Sequence, residues 1–191
     1  LARHVFTWVI YGKKDLTLGE VQEGFALLQG QGRDYQECRP HENSILSACA
    51  GLVVLDSDRR TLRLVHESVQ EHVLEHDIVS QEAHLDILKI CLKCLIIEEP
   101  SDGRGSPLLS YSANHWTSHL HDPDLVHDEE STTLIKKFLG NRFHLTRAFR
   151  NLIMPRDGCP QKFEGMTGLH ATVYLDLPDW VAPLVESGIN V

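Results

Sequence analysis

One short block limits what this chain can become: "LVVLDSDRRTLRLVH", Leu52 to His66. Two β-rich runs, Leu52 to Leu55 and Thr61 to His66, flank the polar turn "DSDRR", the pattern of a hairpin. Side chains alternate along a strand, so Leu62, Leu64 and His66 share one face and Arg63 and Val65 the other. The flanking segments read at helical period, so the fold must fit a single hairpin among helices.

Three helices are predicted ahead of it. Leu1, Val5, Trp8 and Val9 line one face, widened by Phe6 and Ile10, and that helix ends near Gly12. Thr17 and Glu20 have capping-box spacing, which starts a second helix near Leu18. Gln29 to Pro40 is predicted as a loop. "HENSILSACAG" gives a third, short helix closed by Gly51 at the position after its cap. Beyond the hairpin, Val65, Val69 and Val73 recur at four-residue intervals, so the chain turns helical up to about His76. Three helices and a hairpin wing make a winged helix over residues 1–78.

Residues 79–160 are predicted as a helical linker bundle. Ser80 to Ile97 is apolar nearly all round and therefore buried. Glu98 to Pro107 is a loop. "LLSYSANHWTSHL" is amphipathic through Leu108, Tyr111, His115, Trp116 and His119, and His121 to Glu130 is an acidic connector. "STTLIKKFLG" and "FHLTRAFRNLI" give two more helices, stopped by Gly140 and Pro155, with a loop after them.

Residues 161–191 change character. Gly165, Thr167, Leu169 and His170 fit the ankyrin template G-x-T-P-L-H-x-A, and Val181, Leu184, Val185 and Gly188 fit its second half. Gly168 stands where the template has Pro, Thr172 where it has Ala, and Pro183 should bend or shorten the second helix. The fold class is thus mainly α: winged helix, helical bundle, and a first ankyrin helix pair.

Charge and composition exclude several classes. The net charge is −9 over 191 residues. The third helix, the one a DNA-binding winged helix would lay in the groove, has no Arg or Lys between His41 and Ala50. Arg39, Arg59, Arg60 and Arg63 are its basic neighbours. A DNA-binding module is therefore the alternative reading and no nucleic acid the expected one. No apolar run is long enough to span a membrane, and no secretory leader is readable. The chain begins with Leu1 and reads as a segment of a longer protein. Five cysteines at irregular spacing do not suit a secreted disulfide framework, so a reducing, cytoplasmic location is expected.

The blocks "LARHVFTWVIYGKKDLTLGEVQEGF" and "GLVVLDSDRRTLRLVHESVQEHV", the helical stretch and the first ankyrin repeat together resemble the middle of a fungal NACHT–ankyrin protein. These are signal-transducing NTPases of the NOD-like receptor type. The winged helix resembles the one named after the GPI inositol-deacylase, a domain label that implies no deacylase activity. In the superfamily, the winged helix packs against a nucleotide-binding domain. A Met-His-Asp at the end of the wing places its histidine on the β-phosphate of ADP in the closed state. Val65-His66-Glu67 stands at that place here, with Val for Met and Glu for Asp. The resemblance implies that His66 is an ADP-sensing latch toward a nucleotide-binding domain outside this chain. It also implies a protein ligand for the ankyrin array, ATP or ADP only in the upstream domain, and no cofactor in this segment. The bland alternative for His66 is a packed histidine at the base of the wing.

No catalytic constellation emerges, and the segment is expected not to be an enzyme. "HESVQEH" lacks the two histidines four apart that a zinc hydrolase needs, because His66 and His72 are six apart. His72 with His76 and His115 with His119 are pairs with too few further ligands for a metal. Cys91 and Cys94 lie inside an apolar helix, where a thiol packs and does not react. Neither a phosphate-binding G-x-x-x-x-G-K-[ST] nor a G-x-S-x-G elbow occurs.

Overall fold

The computed structural model describes residues 1–30, 32–97, 105–120, 128–153, 165–186 and 188. Helix α1 (Ala2–Tyr11) buries His4, Val5, Phe6, Thr7 and Trp8. Helix α2 (Leu18–Gln29) starts with the predicted box. Glu20 N–H donates to Thr17 Oγ1 at 3.3 Å, and the Glu20 carboxylate accepts from Thr17 N–H at 2.7 Å. Two orphan donors of the first turn are thereby satisfied. The predicted loop at 29–40 instead holds a 3-10 turn, Gly32–Cys38. Tyr35 closes it down: buried, it donates its hydroxyl to Glu23 of α2 at 2.9 Å.

Helix α3 (Glu42–Ala48) ends at the Cys49 cap. Left-handed backbone follows at both Ala50 (φ 49°) and Gly51 (φ 80°), one residue earlier than the glycine alone suggests. Strands β1 (Val53–Leu55) and β2 (Leu62–Leu64) pair antiparallel, Val53 opposite Leu64 and Leu55 opposite Leu62. The wing has a third partner with no period-2 signal. Leu18 N–H donates to the Arg60 carbonyl and Leu62 N–H to the Leu16 carbonyl, so the α1–α2 connection runs along the outer edge of β2. An edge that would present unpaired donors is covered.

Helix α4 (Glu67–Glu75) lays Val69 and Val73 into the core. Helix α5 (Ala83–Ile96) is the central rod, with ten of its fourteen residues buried. It touches α1, α2, α6 (Leu109–His115), α7 (Glu129–Leu139) and α8 (Arg142–Ile153). One continuous apolar core therefore runs from Val5 and Trp8 through Leu88 and Leu92 to Phe138 and Leu145. Lys89 reaches Asp128 at 2.9 Å, and Lys93 reaches Glu130 at 3.0 Å, tying α5 to the start of α7. Arg147 Nη1 of α8 donates to the Ile97 carbonyl at 2.6 Å and caps the end of α5. The predicted connectors at 98–104 and 121–127, the loop at 156–164 and Pro155 lie outside the described residues.

Helix α9 (Gly168–Tyr174) and the short α10 (Val181–Glu186) form the last pair, with a 3-10 turn at Pro178–Trp180 between them. A Cβ on Gly168 would sit 2.6 Å from the Leu139 carbonyl oxygen. That contact explains why glycine stands here: only a bare backbone lets α9 begin against the end of α7.

Candidate functional site

His66 lies just beyond the wing, between β2 and α4. The expected strand face does not extend to it: β2 stops at Leu64, and His66 is the N-cap of α4 with both Val65 and His66 exposed. The reading of a packed core histidine is thereby corrected. The Val65 N–H still donates to the Leu52 carbonyl, but past that bond the chain turns into the helix. The Ser68 N–H donates to Nδ1 at 3.1 Å, and the Ser68 hydroxyl lies 2.9 Å from the same nitrogen. Because Nδ1 accepts, the neutral ring carries its proton on Nε2. The arrangement fixes the imidazole and leaves one N–H donor directed away from its own cap. Glu67 follows at once in the first turn, a carboxylate beside any anion the ring would meet.

The other histidine pairs resolve differently. His72 and His76 stack on exposed α4 with ring centroids 4.1 Å apart, and His76 Nδ1 is bonded to the His72 carbonyl at 3.0 Å. Helix α6 gives way to a 3-10 turn at Trp116, yet the His115 and His119 rings both lie against Tyr111, at centroid distances of 4.9 and 6.2 Å. His115 packs on the Tyr111 ring. His119 is buried and joins a chain of polar contacts. Lys13 N–H donates to Tyr111 Oη at 3.1 Å, Tyr111 Oη lies 2.9 Å from His119 Nε2, and His119 Nδ1 lies 2.9 Å from His84 Nδ1. With the tyrosine donating, every contact is satisfied by neutral rings. Burial, aided by the neighbouring His84, holds His119 down to about 3. Burial likewise raises the Tyr111 hydroxyl. This relay joins the end of α1 to α5 and α6; Tyr111 and His119 share the amphipathic face read from the sequence, but Lys13 and His84 gave no sequence signal.

A second buried polar hub was equally silent. Glu23 on α2 is fully buried and accepts four hydrogen bonds. They come from Tyr35 Oη (2.9 Å), Arg39 Nη2 (3.1 Å), Ser106 Oγ (2.8 Å) and the Leu108 N–H (2.8 Å). The carboxylate fastens the first half of the chain to the start of α6.

Cys91 and Cys94 are buried free thiols. Burial pushes Cys94 up to about 11 and raises Cys91 as well, which makes both poor nucleophiles. Among the described residues, no three His, Cys, Asp or Glu side chains converge on a point that would hold a metal. No helix among them is long and apolar enough to cross a membrane.

Helices α1 to α3, the β1–β2 wing and the covering bridge from Thr17 to Thr61 have the arrangement of a winged helix. Residues 1–85 match the family model described as the GPI inositol-deacylase, winged helix domain. No curated protein and no solved structure matches the chain.

Proposed function

We propose that the chain is a non-catalytic regulatory and interaction segment of a cytoplasmic NACHT–ankyrin signalling ATPase. Its winged helix couples nucleotide state to domain arrangement, and its last helix pair opens a protein-binding ankyrin array. The observation that carries this reading is His66: an exposed imidazole at the junction of a wing and a helix, with one nitrogen tied down by Ser68. A histidine so held can donate from Nε2 to a phosphate oxygen of ADP bound in a neighbouring domain. It supplies one contact only; the remaining phosphate ligands belong to that domain.

Support for the array comes from the last helix pair. Thr167 and His170 interlock, with Thr167 Oγ1 2.8 Å from His170 Nδ1. Met166, Leu169, Val173 and Tyr174 line an apolar cleft of about 580 Å³, and Val173 is 79% exposed. A lone repeat leaves such a face uncovered. Pro183 falls inside α10, which is only six residues long, in keeping with a shortened second helix.

Two features weigh against the DNA-binding alternative. Helix α3 carries no basic residue, and Arg60 of the wing is neutralised by Glu42 of that helix at 2.6 Å. Reading the parent transcript tests the proposal. A Walker lysine upstream of Leu1 and further G-x-T-P-L-H repeats downstream of Val191 are expected. A start codon just before Leu1 with a stop just after Val191 would overturn it.

A further inference from the structure

Charge is segregated in this acidic chain. From Ser131 to Arg150 the sequence carries Lys136, Lys137, Arg142, Arg147 and Arg150 and no acidic residue. Arg142, Thr146 and Arg150 recur every fourth residue along α8, so they form one stripe. With Phe143 they line a cleft of about 540 Å³. Arg142 and Arg150 are exposed, and Phe143 is 62% exposed. No carboxylate among the described residues pairs with either arginine.

Helix α4 presents the opposite sign at the same spacing. Glu67, Glu71 and Glu75 recur every fourth residue, all exposed and none in an ion pair with a described residue. Leu74 lies within this stripe and Val65 just ahead of it, both substantially exposed. The end charges are eight residues apart on each helix, about 12 Å at 1.5 Å per residue. Two helices laid side by side can therefore match Arg142 and Arg150 with Glu67 and Glu75 at both ends. Phe143 then meets the apolar side chains of the acidic stripe.

We propose that α8 of one copy docks on α4 of a second copy, a head-to-tail contact between unlike surfaces of the same chain. Such a contact leaves the second copy's own α8 free, so it extends to further copies or closes into a ring. A duplex nucleic acid is the poorer occupant. The stripe is short, and the rest of an acidic molecule repels a long phosphate backbone. The proposal stands without the nucleotide-latch reading, since it uses neither His66 nor any domain outside the chain.

Sedimentation of the whole chain at low and high salt tests it. The wild type should self-associate at low salt and dissociate as salt screens the stripes. Arg142→Glu/Arg150→Glu and, separately, Glu67→Lys/Glu75→Lys should each weaken association at least about tenfold, judged from exposed pairs replaced by repulsive ones. An equimolar mixture of the two variants should associate again, since each restores the other's complement. The glutamine versions, Arg142→Gln/Arg150→Gln and Glu67→Gln/Glu75→Gln, leave the helices' charge-reversal strain out and should weaken association in the same direction. A wild type that stays monomeric at all concentrations would overturn the proposal, whether or not it binds an oligoglutamate peptide or single-stranded DNA. So would two reversed variants that fail to recombine while both remain folded by circular dichroism.

Discussion

Removing the Glu23 carboxylate is the sharpest test of how the two halves of the chain are joined. Its four donors come from α2's neighbours Tyr35 and Arg39 and from Ser106 and Leu108 at the start of α6. Glu23→Ala strands all four. The tyrosine and serine hydroxyls can rotate to other acceptors. The Leu108 N–H and the Arg39 guanidinium cannot, because neither has an acceptor role to switch to. Breaking a buried charge pair costs about 3–5 kcal/mol. Arg39 is 30% exposed and recovers part of its hydration, which puts the loss toward about 3 kcal/mol. For a chain of this size that is a fall in Tm of roughly 6–12 °C. Glu23→Gln should cost less, because its amide oxygen can keep Ser106 and Leu108 and its NH₂ group can donate to the Tyr35 hydroxyl, which leaves Arg39 alone without its acceptor. Thermal melts give the size of the effect, and hydrogen exchange gives its location. The Leu108 amide should be protected in the wild type and exposed to exchange in Glu23→Ala. A Tm within about 2 °C of wild type, or an unchanged Leu108 amide, would refute the idea that this carboxylate joins the halves.

Other expectations follow from single contacts. Burial holds the His4 imidazole at about 4 and His119 at about 3, below the ordinary 6.5. The folded state thus binds fewer protons than the unfolded one, and their contribution is complete above pH 6.5 and shrinks as pH falls toward 4. Between pH 6.5 and 5 the two together should remove roughly 3 kcal/mol; urea unfolding across that range should show it, and a flat profile would contradict it. Gly168→Ala forces a methyl against the Leu139 carbonyl oxygen and should cost about 1–3 kcal/mol, read as loss of Tm. His66→Ala removes only an exposed cap contact and should cost about 1 kcal/mol or less; a fall in Tm like that of Glu23→Ala would restore the core-histidine reading.

The helices were legible where one face carries the signal. The Thr17–Glu20 box set the start of α2, and the uniform apolarity of Ser80 to Ile97 announced the buried rod α5. Two β-rich runs, Leu52 to Leu55 and Thr61 to His66, around the turn "DSDRR" announced the wing, and side-chain alternation placed the second run's faces. It overran at His66, because alternation cannot distinguish the last strand residue from a helix cap. The third edge of the wing, at Leu16 to Leu18, is made of backbone bonds alone and left no pattern in the side chains. The 3-10 turn at Gly32–Cys38 was hidden for a different reason: it is held by Tyr35 reaching Glu23, a contact across a helix. The same applies to the Lys13 and His84 ends of the His119 relay, which come from the α1–α2 connection and from α5. Local sequence spacing carries no information about such partners.

We propose that His66 senses nucleotide from the rim of the wing. The most direct measurement is the rate at which the parent protein releases a fluorescent ADP analogue, with and without His66→Ala. A charge-assisted hydrogen bond is worth about 1.5–3 kcal/mol, so release should be roughly ten- to hundredfold faster, with the melting of the 191-residue segment nearly unchanged. An unaltered release rate in a folded variant would contradict it.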